Sequence, residues 1–324
     1  MLNRRTLLAR SGALLLAGST GPRAAWAQTF PNKLIKIVVP FPAGGPADTA
    51  VRIVQASMER TLGQPIVVEN APGAAGGIGA TRVKQSEPDG HTLLQAASPH
   101  TTNAAVKPDG NVDLLRDFVP VGQTGNSIYT LCASNALGAK TFAEMVAIAK
   151  ARPGELKIGS VGIGSAHHLV AEMLKSAAGI ELTHVPYRGE APAIPDLIAG
   201  RIDVMFLTTA KLLIDDGKVV GLAHTGDGPW FQLPQLKPLT ELGLTGFVVP
   251  GWNGLMAPKG TPPAVAARLS QALSAALGTE ASVRAFNAMG FKPGEGTPEP
   301  MQRQIEADMR LFTTVIRDRN LKFD

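Results

Sequence analysis

The sequence predicts an α/β protein built as two lobes, each a sheet flanked by helices, joined by two crossing strands. Three observations carry this. Short β-branched runs alternate with amphipathic patterns of about 10–15 residues, as when covering helices join the strands of parallel sheets. Two long extended stretches, 118–134 and 247–258, interrupt that alternation. A chain of 324 residues with 44% hydrophobic side chains can fill two cores.

The first predicted strand, 34–40, reads LIKIVVP and gives way at PFPAGGPAD to a helix over 48–62. Asp48 stands where an N-cap belongs. A strand at 66–70 (IVVEN), a small-residue helix at 77–86 and a strand at 92–96 (TLLQA) follow. Then FVPVGQTGNSIYTLCAS runs extended over 118–134, broken by glycines. Beyond it, strands at 157–160, 182–185, 204–206 and 220–224 alternate with helices at 141–151, 166–178, 191–199 and 210–215. The second extended stretch, FVVPGWNGLMAP, leads to helices at 262–278, 280–289 and 298–319, and Pro262 and Pro298 sit where a first turn accepts proline.

If both stretches cross between lobes, the chain builds lobe one, crosses, builds lobe two, and returns to finish on lobe one. Lobe one is then residues 28–124 and 251–324, and lobe two is 125–250. That is the topology of a hinged two-lobe binding protein, closing through a few residues at element ends.

Charge is concentrated at the N-terminus. Residues 1–27 carry Arg4, Arg5, Arg10 and Arg23 and no acid, then an apolar stretch and the Ala25-Trp26-Ala27 pattern of an export signal. The Arg4-Arg5 pair resembles a twin-arginine signal, and a general secretory (Sec) signal fits the same residues. Cleavage is expected after Ala27, delivering the protein to the periplasm. Removing those four arginines from 31 basic residues leaves 27 against 26 acids, so the mature chain has no electrostatic footprint for nucleic acid. The single cysteine, Cys132, allows no internal disulfide and no cysteine-based metal site, and in an apolar strand it reads as inert.

Three strand-to-helix junctions are glycine-rich, at the strand ends where open α/β sheets bind ligands. The first holds Phe41, Ala43, Gly44, Gly45 and Asp48. The second is ENAPGAAGGIGA. The third, GSVGIGSAHHLVAE, holds Gly164, Ser165, Ala166 and His167. The nucleotide fingerprint is incomplete, because His167 occupies the place of a third glycine, and no phosphate-binding G-x-x-x-x-G-K-[ST] occurs. No G-x-S-x-G elbow is present, and Ser165 and His167 diverge at a helix start without an evident orienting acid. His168 and Glu172 share the i, i+4 spacing of a zinc pair, but a surface ionic or hydrogen-bonded pair accounts for it. Ser98 and Thr208-Thr209 follow strands, and Tyr187-Arg188 lies in a loop that could border the cleft. Phe41 and Trp252 could be cleft walls or core. Backbone donors and hydroxyls without a nucleophile–base pair suit holding a carboxylate. No cofactor or metal is expected.

PNKLIKIVVPFPAGGPADTAVRIV, PIVVENAPGAAGGIGATRV, EPDGHTLL, GIGSAHHLVAEMLK, THVPYRGEAPAIPDLIAGRIDVMF and GWNGLMAPKGTP, in that order, resemble the successive signatures of the tripartite tricarboxylate transporter substrate-binding (Bug-type) proteins. The resemblance covers essentially the whole mature chain. It departs at PGAAGG, at His91 where tyrosine is usual, and most at AAVKPDGNVDLLRD. It implies a periplasmic binding protein of the type II, Venus-flytrap-like class, a monomer that closes over a small organic acid. It further implies that the loop 41–48 and the turn 164–167 face the ligand from opposite lobes. The expected partner is a membrane transporter; a ligand-binding module for a membrane sensor and an exported hydrolase are the alternatives.

Overall fold

The computed structural model describes residues 30–323. Residues 1–29, which hold the predicted export signal, lie outside the described residues. The first unit opens with β1 (Ile35–Val39), α1 (Pro46–Leu62), β2 (Ile66–Asn70), α2 (Gly77–Lys84) and β3 (Thr92–Ala97). It continues through α3 (Ser98–Val106), a short α4 (Leu114–Asp117) and β4 (Phe118–Ile128). The second contains β5 (Thr130–Ser134), α5 (Phe142–Ala151), β6 (Lys157–Ser160), α6 (Ala166–Ala178) and β7 (Thr183–Pro186), then α7 (Glu190–Ile198), β8 (Val204–Leu207), α8 (Ala210–Asp215) and β9 (Val219–His224). The chain returns with β10 (Pro250–Pro258), α9 (Pro263–Leu277), α10 (Glu280–Ala288), β11 (Lys292–Pro293) and α11 (Pro298–Asp318).

The first sheet has the order β11-β4-β10-β3-β1-β2 and the second β7-β6-β8-β5-β9. Neither is purely parallel, as the alternation alone had predicted. β2-β1-β3 and β7-β6-β8 are parallel, but β10 runs antiparallel to β3 and β4, and β5 antiparallel to β8 and β9. The reason is directional: β4 leaves the first sheet as β10 enters it, so the pair must oppose. β4 stays in the first sheet through Ile128, and Tyr129 separates it from β5.

Helix ends follow local chemistry. α1 begins with Gly45 as N-cap and Pro46 in its first turn, so Asp48 is not the cap the sequence suggested. It sits in the first turn and reaches back, accepting from Gly44 N–H at 2.9 Å. Ala47, Ala50, Val51, Val54, Met58 and Leu62 recur at helical spacing and bury one face, and Gly63 ends the helix in the left-handed conformation. α3, which the sequence reading missed, starts directly from β3 with Pro99 in its first turn.

The passage between the units is pinned at Thr225, which is fully buried. Its hydroxyl accepts from Tyr129 N–H at 3.1 Å and donates to Val249 C=O at 2.7 Å. Its own N–H donates to Tyr129 C=O at 3.0 Å, and Val249 N–H donates to its C=O at 2.9 Å. α11 is a second link: Met301 and Ile305 pack with β10 and β3 residues, whereas Phe312 joins the second core. Between them Asp308, buried and without a cation, accepts from Trp252 Nε1–H at 2.8 Å, Thr101 Oγ–H at 3.0 Å and Gln304 Nε2–H at 2.7 Å. Burial pushes its carboxyl up to about 6 despite these donors.

Two outcomes follow for stability. Thr225→Val keeps the shape but orphans Tyr129 N–H and Val249 C=O, and is expected to cost about 1–3 kcal/mol in urea unfolding. Asp308 has a raised folded value, so its contribution is full below the unfolded value near 4 and is lost as pH rises through about 6. Relative to Asp308→Asn, the parent should therefore lose on the order of 3 kcal/mol between pH 3.5 and 7.5, measured by unfolding at both pH values.

Candidate functional site

A cleft of about 620 Å³ opens between the two units. One wall is the β6–α6 turn, residues 161–167; the other is built by Ala74 and by Pro99, Thr102, Asn103, Val106 and Lys107 of α3 and its end. Tyr129, at the crossing, lines it too, and Phe323 closes one side.

The β6–α6 turn is shaped by its own bonds. Gly162 and Gly164 both take positive φ, of 133° and 73°, which side-chain-bearing residues rarely adopt. Ser165 caps α6: its hydroxyl donates to Gly162 C=O at 2.7 Å and accepts from His168 N–H at 3.3 Å. Gly164 N–H donates to His168 Nδ1 at 3.1 Å. The cap engages the third helical amide and leaves those of Ala166 and His167, at the positive end of the helix, without intrahelical acceptors.

His167 is the polar side chain this wall presents. Its ring meets Tyr129 edge-on at 5.0 Å, and Nε2–H donates to Glu190 Oε1 at 2.9 Å. Glu190 also accepts from Thr208 N–H (2.8 Å), Thr208 Oγ–H (2.7 Å) and Thr209 Oγ–H (3.0 Å). Burial opposes its charge, but His167 and the Thr208 donors outweigh it and hold the carboxyl below its usual range. No acidic side chain lines the cleft among the described residues, whereas Lys107 and His167 face it from opposite walls.

The structure brings Gly164, Ser165, Ala166 and His167 together in the cleft. It places the other predicted residues around it. The loop holding Phe41, Ala43, Gly44 and Gly45 does not line the cavity; Phe41 packs edge-on to His100 at 5.4 Å, behind the wall that Pro99 forms. Gly44 serves a positive φ of 78° and has open space around it rather than a close neighbour. Asp48 is spent on Gly44 N–H, Arg52 Nε–H (2.9 Å) and Asn70 Nδ2–H (3.0 Å), with Arg52 foremost in lowering its carboxyl to about 2. Ser98 is buried and its hydroxyl accepts from Trp252 N–H at 2.8 Å. Tyr187 donates to Asp196 at 2.8 Å in the β7–α7 loop, and Thr208 serves Glu190. Trp252 is core.

His168 and Glu172 are not the surface pair that their spacing suggested; both are buried. His168 stacks on His184 at 3.9 Å, and Glu172 pairs with Lys175 (2.9 Å) and Arg319 (3.4 Å). Ser165 spends its hydroxyl on its own cap, and Ser160, bonded to His184 Nε2 at 2.6 Å, is fully buried. Neither serine is offered to a substrate as a nucleophile. Sequence reasoning missed Glu190, Tyr129 and the α3 wall. The signal available for Glu190 was a lone acid at a predicted helix start, which ordinarily means a helix-dipole partner.

Residues 50–321 match the model of the tripartite tricarboxylate transporter family receptor. Protein BugT of Bordetella pertussis is 32% identical over 326 residues, covering 99% of this chain and 99% of that protein. Among solved structures, Rpa4515 of R. palustris with adipate superposes with TM-score 0.78 at 31% identity, over 89% of this chain and 97% of that one. MatC of Rhodopseudomonas palustris with bound malate gives 0.74 at 31%, over 89% and 100%. The two sheets flanked by helices form the two-lobed fold of these periplasmic binding proteins, and the chain belongs to the tripartite tricarboxylate transporter receptor family.

Proposed function

We propose that this protein is a periplasmic receptor, not an enzyme, that captures a small organic carboxylate between its lobes for a tripartite tricarboxylate-type transporter. The observation that carries the reading is the cleft: a capped helix N-terminus with free amides and an imidazole on one wall, a lysine on the other, and no acid lining it among the described residues. The adipate and malate held by its relatives fit the same chemistry. Residues 164–167 contact the anion directly; the loop of Phe41, Ala43, Gly44 and Gly45 backs the lobe-one wall without lining the cleft; Asp48, Ser98, Tyr187 and Thr208 hold the walls in place. Lobe one comprises the segments before Tyr129 and after residue 249, and the Thr225 junction is the hinge about which the lobes close. The receptor acts as a monomer, since each wall comes from the same chain.

A melting screen against C3–C6 mono- and dicarboxylates, adipate and malate included, tests this. An acid at 100 times its Kd should stabilise by about 2.7 kcal/mol and be recovered unchanged. Turnover, or no response to any acid, contradicts the reading. Ser165→Ala removes a cap worth about 1 kcal/mol and loosens the amides, so calorimetric titration should show severalfold weaker binding. Gly44→Val, strained by about 1–3 kcal/mol at its positive φ, should lower the melting temperature.

Export proceeds through cleavage after Ala27. N-terminal sequencing of periplasmic protein should begin at Gln28, and Arg4→Lys with Arg5→Lys should stop export if the twin-arginine route is used. Undiminished export of that variant assigns the Sec route.

A further inference from the structure

The cleft holds a charge arrangement whose meaning goes beyond anion capture and rests on the carboxylate reading above. Glu190 lies behind His167 as a half-buried carboxylate with four donors. Its negative charge repels any carboxylate that enters the cleft, unless something of opposite sign stands between. His167 occupies that position. An ionised carboxylate only accepts, so Nε2 carries a hydrogen whichever protonation state His167 adopts. The atom that changes is Nδ1, which has no protein partner among the described residues and belongs to a side chain that lines the cleft.

With His167 neutral, Nδ1 is an acceptor, and a carboxylate oxygen beside it meets a lone pair backed by the Glu190 charge. With His167 as imidazolium, Nδ1–H donates, and the chain Glu190–imidazolium–ligand carboxylate alternates in sign. Histidine is the side chain that ordinarily makes this change between pH 5 and 8. The other groups facing it do not substitute. Tyr129, edge-on to the ring, has its hydroxyl pushed up by burial and by Asp308 and Glu190, and stays neutral. Lys107 stands on the opposite wall. His168, next along α6, is turned to Gly164 N–H and His184.

We propose that His167 is a specificity-determining contact that donates Nδ1–H to a ligand carboxylate only as imidazolium, with Glu190 as its positioning residue. Binding then takes up a proton from solvent onto Nδ1, and affinity falls as pH rises.

The test is calorimetric titration of the full mature chain with a panel of C3–C6 mono- and dicarboxylates, from pH 5.5 to 8.5, in buffers of different ionisation enthalpy. The parent should weaken by up to about tenfold per pH unit within this window, with proton uptake approaching one per ligand. His167→Gln should bind more weakly, with a flat pH profile and no uptake. Glu190→Gln should bind with reduced uptake, because the imidazolium loses its counter-charge. Melting curves of each variant confirm folding. A parent whose affinity is independent of pH, or a His167→Gln variant that keeps the parent's slope, overturns the proposal while leaving carboxylate capture intact. If no acid in the panel binds, the carboxylate reading and this proposal fall together.

Discussion

Thr225 is the joint on which the molecule depends. One buried hydroxyl and the backbone N–H and C=O of the same residue tie the outgoing strand at Tyr129 to the returning strand at Val249. Both chains must break their ladders there, because they leave one sheet for another, and backbone groups freed inside a protein are costly unless repaired. Threonine supplies a donor and an acceptor in one short, stiff side chain. The same junction places Tyr129 in the cleft, so the link between lobes and the ligand space share a residue. Parallel to it, α11 reaches from the first core to the second and carries Asp308 into a set of donors with no countercharge. A buried carboxylate without a cation is a weak stabiliser, but its three directional bonds fix Trp252, Thr101 and Gln304 relative to one another.

The walls of the cleft differ in kind. On lobe two, glycines with positive φ and a serine cap expose amides at the start of α6, beside the His167 imidazole. On lobe one, α3 and its C-cap present the side chains of Thr102, Asn103 and Lys107. A backbone site accepts any carboxylate of suitable size; discrimination must come from the side chains around it. Glu190, half-buried, stands behind His167 at 2.9 Å and does not itself line the cleft.

Much of this was legible in the sequence, for stated reasons. Strands such as IVV and VMF, and helices closed by Gly63 and Gly179, carry local signals strong enough to place them. GIGSAHH announced a cleft turn because its glycines, hydroxyl and helix start coincide. Other features depend on partners distant in sequence. Asp48 looked like a cap until Asn70 and Gly44 were seen around it. α3 was hidden because SPHTTNAAV has no amphipathic stripe, and it lies against both units. His168 and Glu172 have helix-surface spacing, yet His184 and Arg319 arrive from elsewhere to bury them. Sequence spacing describes one element; the site is made where several meet.

The most direct measurement is a crystal structure of the mature protein with an acid from the carboxylate panel bound. The account predicts density for a carboxylate within hydrogen-bond reach of the Ala166 and His167 amides, with the α3 wall closed over its far side. Density for the acid elsewhere, for example in the groove between α6 and α11 beside Met173 and Phe247, with this cleft empty, would contradict it.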